Sequence, residues 1–133
     1  MRAVLVAGFA LLLLGGCNGD DEPPPVESPD LRSPRAQEIR TCLREAGFEV
    51  LGGRSSPSDR DAPDVELTTS VNGIPVFVAI YRDSAEAARR EVEVRRNAEQ
   101  FGGQVDRQGS VTIVWAEPPA TDSQEPVERC VFA

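Results

Sequence analysis

The sequence predicts a small two-layer α+β domain. Its expected order is α-β-β-β-α-β-β plus a terminal turn, with helices packed on a mostly antiparallel sheet and one disulfide. Three observations carry that class. Segments 34–46 and 84–101 repeat apolar residues at the period of a helix. Runs at 65–71, 74–81 and 111–116 alternate or are apolar throughout, as strands are. Between the first two runs stands Asn72-Gly73, the strongest short-range hairpin signal, which makes that pair antiparallel.

The first helix begins at Ser33-Pro34: serine caps the opening turn, and proline occupies a position whose N–H has no helical partner to lose. Ala36, Ile39, Cys42, Leu43 and Ala46 share one stripe, which places Cys42 on the buried side. Gly47 ends the helix, and Phe48 is set to fold back on its last turn. A short strand over 48–51 follows, then a Gly-, Pro- and Asp-rich loop through Asp64 that is long enough to be mobile.

Val65, Leu67, Thr69 and Val71 alternate with polar residues, the pattern of a half-buried strand. The next strand is apolar on both faces, with Ile74, Val76, Val78 and Ile80 on one and Phe77, Ala79 and Tyr81 on the other. It is therefore expected at the centre of the sheet, covered on both sides. Pro75 has no N–H, so it belongs at the strand start or at a non-bonded position.

Asp83, with Glu86 three residues on, has the spacing of a capping box and opens the long helix. Ala87, Val94, Ala98 and Phe101 form one stripe of it, and Ala85, Ala88 and Val92 a second. Glu86–Arg90, Arg89–Glu93, Glu91–Arg95 and Arg95–Glu99 are four apart, so the polar face pairs with itself. Those interleaved acids argue against an arginine-rich anion site. Gly102-Gly103 stops the helix, Val105 anchors a short polar strand, and Gly109 marks the turn into the last strand, 111–116. Residues 127–132 are read as a short closing element.

Composition narrows the chemistry. The 133 residues contain no histidine, and all 14 basic residues are arginine. Histidine acid–base chemistry, histidine metal ligation, Schiff-base lysine and a P-loop lysine are thereby excluded. The net charge of −8 has the wrong sign for a nucleic-acid binder.

Ahead of the domain, Arg2 precedes a twelve-residue apolar run from Ala3 to Leu14, then small residues and a cysteine. The run has the build of an export signal and falls short of the ~20 apolar residues of a spanning helix. Leu14-Gly15-Gly16-Cys17 resembles the lipobox of bacterial lipoproteins. The resemblance implies diacylglyceryl attachment at the Cys17 thiol, cleavage just before it, and an exported protein held to the membrane by lipid. It covers the leader only. An ordinary cleaved signal and a single-pass anchor are the competing readings. The division that follows is a cleaved signal over 1–16, a tether over 17–33 and a globular domain over 34–133. The tether carries five acids, four prolines and one arginine, a composition that stays extended and spans up to roughly 50 Å.

With Cys17 assigned to lipid, Cys42 and Cys130 remain in an oxidising compartment and are expected to pair. No Cys-x-x-Cys and no histidine favour a redox role.

Candidate sites are few. Asp59, Asp61 and Asp64 offer oxygen ligands, but Arg60 and Pro63 break the pattern of a calcium loop, so no metal and no cofactor is expected. Carboxylates are plentiful, yet only Asp83 and Glu117 sit at strand ends, and no catalytic residue is assigned. Phe77, Tyr81 and Trp115, on the two most apolar strands, form a possible binding patch if one sheet face is left uncovered. That arrangement requires the long helix to cover the face of Ile74, Val76, Val78 and Ile80.

The expectation is thus a non-catalytic, lipid-anchored module of the cell envelope that binds an envelope protein or a small ligand, without nucleic acid. The competing expectation is a small hydrolase working through carboxylates alone. A buried acid pair on a cleft floor favours the second, an accessible aromatic patch the first.

Overall fold

A computed structural model of the chain describes residues 33–54 and 63–133. The expected signal, Cys17, nearly all of the tether, and Asp59 and Asp61 lie outside the described residues. The elements are α1 (Pro34–Glu45), β1 (Val50–Arg54), β2 (Val65–Val71), β3 (Ile74–Ile80), α2 (Ser84–Gln100), β4 (Gln104–Gln108), β5 (Val111–Trp115) and α3 (Thr121–Phe132). The strands make one sheet in the order β1-β2-β3-β5-β4, each neighbouring pair antiparallel. The α+β class, the antiparallel sheet and the disulfide are as the sequence predicts.

Local chemistry starts each element where expected. Ser33 Oγ accepts from the Ala36 N–H at 3.3 Å, with Pro34 in the first turn of α1. The Phe48 N–H donates to the Leu43 carbonyl at 2.9 Å, and the Phe48 ring then packs against the core. Asp83 accepts from the Glu86 N–H at 2.8 Å and opens α2. At the β2–β3 hairpin Asn72 and Gly73 have φ of 52° and 81°, the left-handed pair that a tight two-residue turn requires. After α2, Gly103 lies so close to β5 that an added Cβ would collide with the Trp115 carbonyl oxygen.

The main core lies on one face of the sheet. There Val65, Leu67, Val76, Val78, Val111, Ile113 and Trp115 meet Ile39 and Leu43 of α1 and Val127 and Val131 of α3. Trp115 is fully buried, and its indole N–H donates to Asp106 Oδ2 at 2.9 Å, so the large ring keeps its polar edge satisfied. Buried Thr69 donates its hydroxyl to the Glu49 carbonyl at 2.6 Å and ties the entry of β1 to β2. Cys42 of α1 bonds to Cys130 of α3 with the Cα atoms 5.4 Å apart, closing 88 residues of chain. Cys130 is buried, whereas Cys42 is half-buried rather than inside, because the bridge lies at the margin where the two helices meet.

Three details depart from the sequence reading. The closing element is a twelve-residue helix, α3, even though Pro126 interrupts its donor ladder and Ala120 supplies no side-chain cap. Its formation rests on tertiary anchors instead: the stripe Val127, Cys130 and Val131 is buried, and Cys130 is bonded to α1. Arg35 of α1 donates to the Val131 and Ala133 carbonyls at 2.9 and 2.7 Å, satisfying acceptors at the helix C-terminus. Second, β1 extends through Gly52-Gly53 to Arg54, with a register shift between Leu51 and Arg54.

Third, α2 takes the opposite face from the one supposed. It packs over β4 and β5 on the side of Phe77, Ala79 and Tyr81, where Ala79, Tyr81 and Ala87 form a small second cluster. α1 and α3 cover the face of Val76, Val78 and Ile80. The reason is topological. β3 and β4 both run antiparallel to β5, hence parallel to each other, and α2 is the crossover between them. The face a crossover helix occupies follows from strand order and handedness, which residue periodicity does not contain. α2 therefore adds a partial layer beyond the two formed by the sheet with α1 and α3.

A candidate binding groove beside α2

Alternation along β3 turns Phe77, Ala79 and Tyr81 to the α2 side, and the register sets Phe77 against Val114 of β5 and Thr68 of β2. Since α2 lies over β4 and β5, the sheet surface at β2 and β3 stays beside the helix rather than under it. The result is an open groove running parallel to α2. One section, of about 560 Å³, has Phe77, Ala79 and Tyr81 on its floor, with Glu66 on one bank and Arg90 and Glu93 on the other. A second, of about 350 Å³, continues past Val94 and Val114 to Ala98, Phe101 and Ala116. The two share Phe77, Val94, Asn97 and Val114, so they are one trough with two ends. The combined size is that of a small-ligand site.

The ends differ in character. At the first, Tyr81 is 6% exposed and its phenol is held above the ordinary value of 10.0, mainly by burial and then by the negative charges of Glu66, Glu86 and Glu93. Arg90 of α2 approaches Glu93 at 3.2 Å. At the second end the walls are aliphatic and aromatic, and Phe101 stands 82% exposed.

The helix brings little apolar bulk to the sheet and adds an ion-paired contact with β4. Of its apolar residues only Ala87 and Ala98 are buried, and Val92 on the second stripe is 64% exposed. Glu91 bridges two arginines: Arg107 Nε of β4 at 2.6 Å and Arg95 Nη2 of α2 at 2.7 Å. Hydrogen bonds from Arg107 and then Arg95 hold the Glu91 carboxyl below its ordinary 4.5. The Glu91–Arg95 pair was legible from its spacing of four; Arg107, sixteen residues away, was not.

The structure separates the three aromatic residues singled out from the sequence. Phe77 and Tyr81 share the groove, but the Trp115 side chain faces the α1–α3 core and is no part of an accessible patch. Only the Trp115 backbone edge reaches the apolar end, next to Gly103. Val94, Asn97 and Phe101 line the groove unanticipated; the helical stripe containing Val94 and Phe101 was the available signal. Asp83 is engaged as a helix cap and Glu117 is exposed, both away from the groove. Apart from Tyr81, the buried polar side chains among the described residues belong to Thr69 and Thr112. Among the described residues no three acidic or sulfur-bearing side chains gather as a metal site, and no helix is long and apolar enough to cross a membrane.

Comparison of the chain with protein-family models, with curated proteins and with solved structures finds no match, so the groove's own geometry is what bears on function.

Proposed function

We propose that the protein is a lipid-anchored, extracytoplasmic binding module of the bacterial envelope, holding its domain off the membrane on the tether and taking a ligand in the groove beside α2. The lipobox-like Leu14-Gly15-Gly16-Cys17 supports the anchor. The observation that carries the binding role is the make-up of the groove: its floor is Phe77, Ala79, Tyr81 and Val114, and its carboxylates, Glu66 and Glu93, stand on the banks. An apolar, aromatic floor with a few polar groups at its margin suits recognition. A hydrolase based on carboxylates would instead want two acids converging on the floor.

Two measurements test this reading. Palmitate labelling of cells should mark the wild-type protein and fail on a Cys17→Ser variant, which should leave the membrane fraction; equal labelling removes the anchor. A photo-crosslinking residue at exposed Phe101 should capture a ligand or partner on intact cells, whereas the same residue at exposed Val92, on the other stripe of α2, should not. Equal capture at both positions rules against the groove.

A further inference from the structure

The two ends of the groove lie along one line and offer opposite chemistry, and this restricts what can fill it. The geometry points to an amphiphilic organic cation as the ligand: an ammonium or guanidinium head seated at Tyr81 between Glu66 and Glu93, and an apolar body lying over Phe77 and Val94 toward Phe101. The assignment rests on the groove being the binding surface.

Four observations support it. The first is charge. Glu66, Glu86 and Glu93 act on Tyr81, against Arg90, which is drawn to Glu93 at 3.2 Å. Among the described residues, two carboxylates, Glu66 and Glu93, line this section against one guanidinium, Arg90. These carboxylates add to the burial that is the main reason the phenol is raised.

The second is the Tyr81 hydroxyl itself. The residue is more than nine-tenths buried and lines the groove, and its hydroxyl enters none of the hydrogen bonds among the described residues. A phenol oxygen with open lone pairs accepts from an N–H donor, and a head group of that kind would satisfy it.

The third is the pair of aromatic rings. Phe77 and Tyr81 both line the same section, and their faces attract a cation most strongly where water is partly excluded. The fourth is length: the apolar section continues directly from the charged one through Phe77, Val94, Asn97 and Val114, so a head and body joined in one molecule contact both. An anionic amphiphile would meet the carboxylates of Glu66 and Glu93, and a neutral one would leave Glu66, which unlike Glu93 forms no ion pair among the described residues, without a counter-charge.

The chain has one tyrosine and one tryptophan, so fluorinated tyrosine and tryptophan report separately on the charged end and on the opposite core. Full-length protein in zwitterionic nanodiscs, carrying both labels, is titrated with hexylammonium, hexyl sulfate or hexanol. Hexylammonium should move the Tyr81 fluorine resonance saturably and leave Trp115 still. The sulfate and the alcohol should need about tenfold higher concentration. The conservative pair Glu66→Gln and Glu93→Gln should abolish that preference without altering the Trp115 resonance. Phe101→Ala should weaken hexylammonium but not methylammonium.

Equal responses to the three probes, or an unchanged preference in the Gln variants, overturn the cationic assignment while leaving the groove as a binding surface. No movement at Tyr81 with any probe overturns the groove itself. Joint movement of Tyr81 and Trp115 means a global change in the fold and likewise counts against binding in the groove.

Discussion

On one face of the sheet α1 and α3 meet over Val76, Val78, Ile113 and Trp115, all of them wholly excluded from solvent, with Cys42–Cys130 joining the two helices above them. On the other face a single helix covers β4 and β5, buries little more than Ala87 and Ala98, and leaves Phe77 half-buried and Phe101 almost bare. Both faces belong to the same five strands and are equally apolar along β3. The difference therefore comes from what the helices bring. α1 and α3 contribute Ile39, Leu43, Val127 and Val131; α2 contributes alanines, a half-buried valine and an ion-paired polar side. Stability is concentrated on the closed face, and the open one is left available for a ligand.

The sharpest way to break this comparison is to remove the bridge. Closing a loop of 88 residues is worth about 4.5 kcal/mol in the chain-entropy model. That is a large share of the ~5–15 kcal/mol that holds a small domain together. The double variant Cys42→Ser/Cys130→Ser should thus lose most of its stability in urea denaturation, with α3 detaching first because Pro126 and the missing cap leave it little autonomy. If the variant stayed within ~1 kcal/mol of wild type, the closed face would be shown to hold without its staple.

A matched pair of truncations compares the faces directly. Ile113→Ala should cost about 2–5 kcal/mol, since the side chain is fully enclosed and its neighbours are held by the disulfide. Phe77→Ala removes a larger ring from the neighbouring strand but should cost only about 1 kcal/mol, because the groove already admits water to it. Equal losses would mean that α2 seals its face as tightly as α1 and α3 seal theirs, and the groove would lose its standing as a site.

That contrast also marks where sequence reasoning succeeds. Local signals carried the elements: Ser33-Pro34, Asp83 and Asn72-Gly73 each act on a neighbour within a few residues, and each lies where expected. Alternation along β3 correctly placed Phe77 with Tyr81 and apart from Val76 and Val78. Which helix covers which set was not local information. It depends on β5 inserting between β3 and β4, an arrangement made by non-local pairing and invisible to periodicity. Trp115 was grouped with Phe77 for the same reason: both strands are apolar on both faces, so only the register Val76–Trp115 and Phe77–Val114 tells their sides apart. α3 was missed because Pro126 and Ala120 are poor helix signals, although Val127, Cys130 and Val131 already had helical spacing.

The smallest effect concerns how α2 stays at its edge of the sheet. Glu91 is 23% exposed and bonded to Arg107 and Arg95, and its carboxyl lies below the ordinary 4.5. A carboxylate with a depressed value binds its proton less readily when folded than when unfolded. Its contribution is therefore complete above the unfolded value and fades as the pH falls through the folded one. Partly exposed pairs of this kind are worth about 0.5–1 kcal/mol. Glu91→Gln keeps the shape and removes the charge, so it should be less stable than wild type by about that amount at pH 7. Once the pH has fallen far enough to protonate Glu91 in the folded state, the gap should narrow, and urea midpoints at pH 7 and at the lowest pH where the fold persists read the difference. A gap of the same size at both would mean that Arg107 is held by shape alone. The bond between α2 and β4 would then owe nothing to charge, and the thin apolar stripe of the helix would have to account for its position unaided.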